Sequence, residues 1–222
     1  MCKSEEFWDK SADNYDKAEE RFEYIHRQTR ENTKKHLRGT ETVLDYGCGT
    51  GTTACEIANL VEQVHAIDIS SRMIEIAKDK AAARKIENVY FARVDIFDDG
   101  YEEASFDVVL AFNMLHTVPD PHRVVQRAIE LLKPGGLFIS ATPCLRGRMS
   151  FLVSLQIVIM RVLLKIGVIP VPIRRLRSSD LDDLLADKNI QIVTAEEVYA
   201  GASSYFVVAK KALSSDASTE LQ

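Results

Sequence analysis

An α/β fold is what this sequence predicts: a three-layer α/β/α sandwich around a mostly parallel sheet whose last strand is reversed. Three observations carry the prediction. Short apolar runs alternate with helix-length segments, and such alternation gives parallel strands covered by helices on both faces. The first run, Thr42-Val43-Leu44, leads through Asp45 into a glycine loop and then a helical stretch over 54–60. The last two runs are joined by a connection too short for a crossover, which forces them antiparallel.

Taken in order, residues 4–38 hold no proline and set Phe7, Trp8, Tyr15, Phe22 and Tyr24 among many charged residues, which predicts one or two helices. After the first strand and its glycine loop come a strand over 64–67 and a helix over 70–84 with Ser70 as N-cap. Strands follow over 89–92 and 106–111, then a helix over 121–132 opened by Pro121, and a strand over 137–140. An apolar helix over 151–169, a capped helix over 178–188 and strands over 190–194 and 204–210 complete the chain. We therefore expect one domain over 1–213. It comprises a helical N-terminal cap (1–38), a core (39–144), an inserted helix (145–177) and a C-terminal helix with two strands (178–213). The small, polar stretch 214–222 has little to bury and reads as a tail.

At 222 residues and 46% hydrophobic content the chain can bury one large core. The opening Met1-Cys2-Lys3-Ser4-Glu5-Glu6 lacks the apolar stretch of a secretory signal, and cysteines 2, 48, 55 and 144 form no C-x-x-C pair. A reducing, cytoplasmic location and no metal site are expected. A net charge of -5 argues against a general nucleic-acid binder, whose basic footprint would show in the totals.

Tyr46-Gly47-Cys48-Gly49-Thr50-Gly51 concentrates glycine where a strand meets a helix. Glycine tolerates positive φ and lets backbone approach a ligand, and the following helix N-terminus faces the same crevice, so a small cofactor belongs here. A dinucleotide loop would read G-x-G-x-x-G, but Thr52 stands in the third glycine's place, which weakens a dinucleotide-dependent oxidoreductase. Asp68 ends the second strand about 20 residues on, where folds of this kind place the carboxylate that accepts both ribose hydroxyls. Its alternative reading is a cap on the helix opening near Ser70. Ile69 beside it is placed to cover adenine.

The segment 43–51 resembles the first motif of class I S-adenosylmethionine (SAM) dependent methyltransferases, a Rossmann-like fold. The resemblance implies a seven-stranded sheet with the last strand antiparallel, SAM as cofactor and S-adenosylhomocysteine (SAH) as product. It implies that Gly47, Cys48, Gly49 and Gly51 cradle the cofactor and that Asp45 orients the methionine ammonium. It further implies that Asp95 accepts from the adenine amine while Ile96 covers the ring. The other reading of Asp95 is turn chemistry, since Asp98-Asp99-Gly100 follow. Cys48 itself reads as a small filler.

The fourth strand ends Ala111-Phe112-Asn113-Met114-Leu115-His116, with Phe112 and Asn113 bordering the cofactor. No Asn/Asp-Pro-Pro-aromatic tetrapeptide is present, so methylation of nucleic-acid base amines loses support. Leu115-His116-Thr117-Val118-Pro119-Asp120 and Leu131-Leu132-Lys133-Pro134-Gly135-Gly136-Leu137 look like the small-molecule branch, which includes quinone-biosynthesis and sterol-type enzymes. His116 is the candidate base by residue type, with a backbone-bonded loop histidine as its alternative. Phe7-Trp8 and Ala12-x-x-Tyr15-Asp16 resemble the lid helix of that branch, which puts Tyr15 near the methionine carboxylate. A SAM-binding protein without activity is the competing class.

Between 145 and 177 there is no acid, while Arg146, Arg148, Arg161, Lys165, Arg174, Arg175 and Arg177 contribute +7; the rest of the chain is then -5 minus 7, or -12. At about 100° per residue, Ser150, Ser154, Arg161 and Lys165 fall in one narrow stripe of an otherwise apolar helix. A membrane span is rejected, since Arg161 and Lys165 would each cost roughly 2.5 to 3.5 kcal/mol at mid-bilayer. The remaining readings are a helix buried on the sheet, a lid over a lipophilic small-molecule acceptor, a helix in peripheral contact with a membrane, and a homodimer interface. In the lid reading Leu152, Leu155, Ile159 and Leu163 face the pocket or core.

Overall fold

The computed structural model describes residues 3–186 and 189–213. Helices α1 (Lys3–Ser11), α2 (Tyr15–Glu19) and α3 (Glu23–Lys34) precede the sheet, separated by single 3-10 turns. The chain then runs through β1 (Thr42–Tyr46), α4 (Thr52–Ile57), β2 (Gln63–Asp68), α5 (Ser71–Ala83), β3 (Val89–Arg93), β4 (Phe106–Phe112), α6 (Pro121–Leu131) and β5 (Leu132–Pro143). Last come α7 (Phe151–Lys165), α8 (Ser178–Leu184), β6 (Ile190–Tyr199) and β7 (Ser203–Lys211).

The seven strands lie in the order β3-β2-β1-β4-β5-β7-β6. The first five are mutually parallel, and β7 runs antiparallel to both β5 and β6, as its short link from β6 requires. β1 sits at the centre, and Val43, Leu44, Asp45 and Tyr46 are all buried, as befits a strand covered on both faces. One face packs Leu44, Ile67, Val109 and Val207 against α6 and α8. The other packs Val43, Val64, Leu110 and Ile139 against α4. The carboxyl ends of β1, β2 and β4 share one edge, where the chain order reverses between β1 and β4. A ligand crevice belongs at such a reversal.

Several boundaries differ from expectation for local reasons. The N-terminal segment forms three helices rather than one or two. β5 begins at Leu132 and takes Lys133-Pro134-Gly135-Gly136 into the strand as a bulge, the register stepping from Phe106 opposite Leu132 to Val108 opposite Leu137. A bulge is where a strand tolerates proline, which has no N–H to give the ladder. Another register shift at Val193 lets β6 run on to Tyr199. α7 stops four residues short of Ile169 because Gly167 turns to φ +75° and the Val168 N–H reaches back to the Leu163 carbonyl. α8 ends at Leu184 instead of running on to Lys188, its C-cap Leu185 leaving helical backbone; the tail at 214–222 and Cys2 lie outside the described residues.

One face assignment is corrected. Leu152, Leu155 and Ile159 are exposed, and the inward face of α7 is instead Val153, Gln156, Ile157 and Met160. The helix is apolar on two opposite sides, so greasiness alone did not identify the buried one.

Candidate active site

Three adjoining cavities of about 130, 260 and 360 Å³ open at the carboxyl edge of the sheet. The first is lined by Trp8, Tyr46, Gly47, Asp68, Ile69, Asp95 and Phe112. The second lies between α2, α3 and the glycine loop, with Asp16, Glu19, Asp45, Cys48 and Thr50 on its wall. The largest is mainly apolar and lies under α7, with Phe7, Phe22, Leu145, Ile157, Met160 and Val171 around it. Among the described residues, Tyr15 and Asn113 border all three.

The glycine loop is shaped by what surrounds it. Gly47 (φ +72°) and Gly51 (φ +73°) are both left-handed, and a Cβ on Gly51 would stand 2.8 Å from Ala77 Cβ. Gly51 is corrected as a cofactor contact: buried against Ala77 and Phe91, it lines none of the three cavities and serves the turn itself. The backbone N–H groups of Gly47 and Cys48 both donate to the Ile67 carbonyl, at 2.9 and 3.0 Å, which ties the loop to the end of β2.

Two carboxylates face each other across this crevice. Asp68 accepts from the Gly49 and Ser70 N–H groups at 3.0 and 2.9 Å, and burial still raises its pKa. The cap of α5 falls to Ser70, whose Oγ accepts from the Met73 N–H, so Asp68 is not the cap. Asp45 is 2% exposed, and burial, then the charge of Asp68, push its pKa up to about 7. Its Oδ2 has no partner. A buried acid with one orphaned oxygen, beside the half-buried Asp68, forms a site short of a cation. Cys48 lines the second cavity as a half-buried thiol, its pKa raised well above the usual range by desolvation, in keeping with a filler. Ile96 is corrected: it is fully buried in the core and lines none of the three cavities, because the chain points Asp95 into the first cavity and the next side chain away from it.

The N-terminal helices are tied down over the crevice. Ser70 Oγ donates to Asp9 Oδ1 at 2.6 Å and the Arg72 N–H donates to the same oxygen at 3.1 Å, while the Arg72 guanidinium pairs with Asp13. Asp16 accepts from Thr50 Oγ1 at 2.5 Å and from Lys80 at 3.0 Å. Tyr15 is held with its phenol strongly disfavoured from ionising, first by burial and then by the charge of Glu19.

Between the second and the largest cavities lies a histidine that no sequence motif marks. His26, on α3, has Nδ1 3.1 Å from Asn113 Nδ2 and Nε2 2.8 Å from Glu19 Oε2, a charge contact without hydrogen-bond alignment. Asn113 is fixed by a left-handed backbone (φ +54°) and by its N–H on the Ala141 carbonyl. His116 sits apart, in the wall of the largest cavity only; its carbonyl accepts from the Arg174 N–H. Burial pushes its pKa down to about 4, and its Nδ1 has no partner. Ser204 Oγ, in the same cavity, is likewise unpaired.

A family described as a methyltransferase domain matches residues 37–165, more than half of the chain, and the chain belongs to that family. Among characterised relatives, the 27-O-demethylrifamycin SV methyltransferase of Amycolatopsis mediterranei (strain S699) is 38% identical over 102 residues, 45% of this chain and 38% of its own length. The ubiquinone biosynthesis O-methyltransferase of Xanthomonas euvesicatoria pv. vesicatoria (strain 85-10) is 36% identical over 123 residues, 54% of this chain and 48% of its own. The chain thus spans half or less of these relatives' lengths. Among solved structures, the cyclase SpnF superposes with a TM-score of 0.67 at 20% identity, over 84% of this chain and 80% of its own, and shows that the fold is shared.

Proposed function

We propose that the chain moves the methyl group of SAM to a hydroxyl of a small, lipophilic acceptor. The observation that carries this is the convergence on Tyr15 and Asn113 of two cavities that carry the acids Asp68, Asp95 and Asp45 with a third, apolar cavity under α7. The relatives' names, both O-methyltransferases, favour oxygen as the receiving atom. The fold alone decides less, since a cyclase shares it.

The residues present fit SAM. Asp68 suits the ribose hydroxyls, Asp95 the adenine amine and Ile69 and Phe112 the ring faces. Asp45, with Tyr15, Gly47, Cys48 and Gly49, suits the cationic methionine end, where an unpartnered buried oxygen waits. Bound there, SAM supplies a methyl on a sulfonium, which asks the protein for in-line positioning more than for activation.

Removal of the acceptor's proton falls to His26 in this reading. Glu19 lies 2.8 Å from Nε2, and Nδ1 takes the proton where the Asn113 amide now sits. His116, the base expected from sequence, is held neutral at pH 7 by burial and faces only the acceptor cavity. There its free Nδ1, with Ser204 Oγ, suits a second polar group on an otherwise apolar acceptor. We place the enzyme in the cytoplasm, in peripheral contact with a membrane through 146–177; three unpaired cysteines fit a reducing compartment.

The test is methyl transfer from labelled SAM to alkyl-substituted catechols. Transfer is expected, and His26→Ala should slow it by roughly 10² to 10⁴-fold, with rescue at high pH where the hydroxyl ionises unaided. A His116→Ala variant that loses the pH-dependent step, with His26→Ala unaffected, would return the role to His116. SAM binding without transfer to any hydroxyl would leave a SAM-binding protein with no methyltransferase activity. Calorimetric binding of NAD in place of SAM would defeat the whole reading.

A further inference from the structure

We infer that the outer face of α7 docks on a bilayer carrying anionic headgroups, so that an acceptor dissolved in the membrane enters the cavity beneath it. This rests on the lipophilic-acceptor reading above and names the surface from which that acceptor comes. Phe151, Leu155, Val158, Ile159, Val162 and Ile166 are between 48% and 81% exposed. At about 100° per residue they fall within roughly 120° of arc, and the inward residues Val153, Ile157 and Met160 lie on the opposite side. A water-soluble surface rarely offers a continuous apolar stripe of this length without an occupant.

Charge decides which occupant. Ser150, Ser154, Arg161 and Lys165 form the flank of the exposed stripe, where long cationic side chains can reach headgroups while their stems stay apolar. Seven cations and no acid lie between 145 and 177, and among the described residues none of the seven forms an ion pair within the chain. Packing this face on a second copy of itself would bring those like charges together across a two-fold axis. An anionic bilayer instead attracts Arg161 and Lys165 on the helix itself, while Arg174 and Arg175 donate to the chain's own carbonyls. No described helix is long and apolar enough to cross a membrane, so α7 lies in the interface plane. Its inner face then covers the acceptor cavity, and the connection after it returns Ile169, Val171 and Ile173 to the cavity wall.

The experiment is vesicle flotation of the whole chain with phosphatidylcholine vesicles, alone or with about 30% phosphatidylglycerol. The wild type should float with the anionic vesicles and much less with the neutral ones. Arg161→Glu with Lys165→Glu should weaken that binding at least about thirtyfold, and Leu152→Ser with Ile159→Ser should also weaken it, with circular dichroism unchanged. No flotation, or flotation that neither pair of substitutions reduces, would overturn the proposal. So would a dimer in sedimentation that Leu152→Ser with Ile159→Ser dissolves while vesicles are ignored, since the face would then be a self-interface. Calorimetry with SAH on the same proteins keeps the two readings apart: all variants should bind SAH as the wild type does, and a wild type that fails to bind SAH defeats the methyltransferase reading whatever the vesicles show.

Discussion

At the scale of single residues, the acids of the crevice set the pH behaviour. Asp45 has an ordinary carboxyl pKa of 3.8 when unfolded and about 7 when folded. The folded state therefore holds the extra proton between those values, and stability contributed by this site falls as pH rises from about 4 to 7. Thermal unfolding of the ligand-free protein should show that decline, and Asp45→Asn should flatten it. A cationic ligand prefers the ionised carboxylate, so SAM should bind more tightly at pH 8 than at pH 6. At pH 6 it should displace a proton, readable by calorimetry in buffers of different ionisation enthalpy; no proton release would remove Asp45 from the ammonium site. Asp68→Ala removes a charge-assisted partner of the ribose, and SAM affinity should fall by about 1.5 to 3 kcal/mol, or ten- to 150-fold. An unchanged affinity would leave Asp68 only its turn bonds to Gly49 and Ser70.

At the scale of elements, the question is what holds the N-terminal helices over the crevice. Their anchors are largely polar: Glu5 on Arg93, Asp9 on Ser70 and Arg72, Asp13 on Arg72, and Asp16 on Thr50 and Lys80. Such contacts open at low cost, so hydrogen exchange across 4–24 should slow when SAH is added, and Asp9→Ala should speed it in the free protein. Exchange unaltered by SAH would make these helices a fixed wall. The same elements mark where sequence reading succeeded. Strands β1, β2 and β4 were legible because both faces are buried and the residues are almost all apolar, and the glycine loop because three positions demand left-handed backbone. His26 was not legible. It lies on a polar helix without a motif, and only the fold brings it to Asn113, 87 residues away in sequence. The face of α7 failed for the opposite reason, an excess of apolar residues on both sides. Ile96 followed the resemblance rather than the geometry of the turn after β3.

For the molecule as a whole, the cofactor cavities are built jointly by the sheet edge and the N-terminal helices. A ligand there binds only the folded chain. At a hundred times its dissociation constant, SAH should stabilise the fold by about 2.7 kcal/mol, which for a chain of this size raises Tm by roughly 5 to 10 °C. Proteins with residues 1–22 removed should bind SAH more weakly and show a smaller rise. An equal rise would mean that the sheet edge alone carries the affinity.

The three cavities meet at Tyr15 and Asn113, and α1 and α2 border the largest as well as the cofactor side, while α7 with 169–173 borders the largest alone. The acceptor side thus keeps one wall, α7 with 169–173, through which it can open while the shared N-terminal helices stay closed on the cofactor. The kinetic consequence is that methylated product can leave while SAH remains, and fresh acceptor can enter beside spent cofactor. Initial-rate patterns should then show SAH competing with SAM and an abortive complex of SAH with acceptor, visible as inhibition at high acceptor concentration.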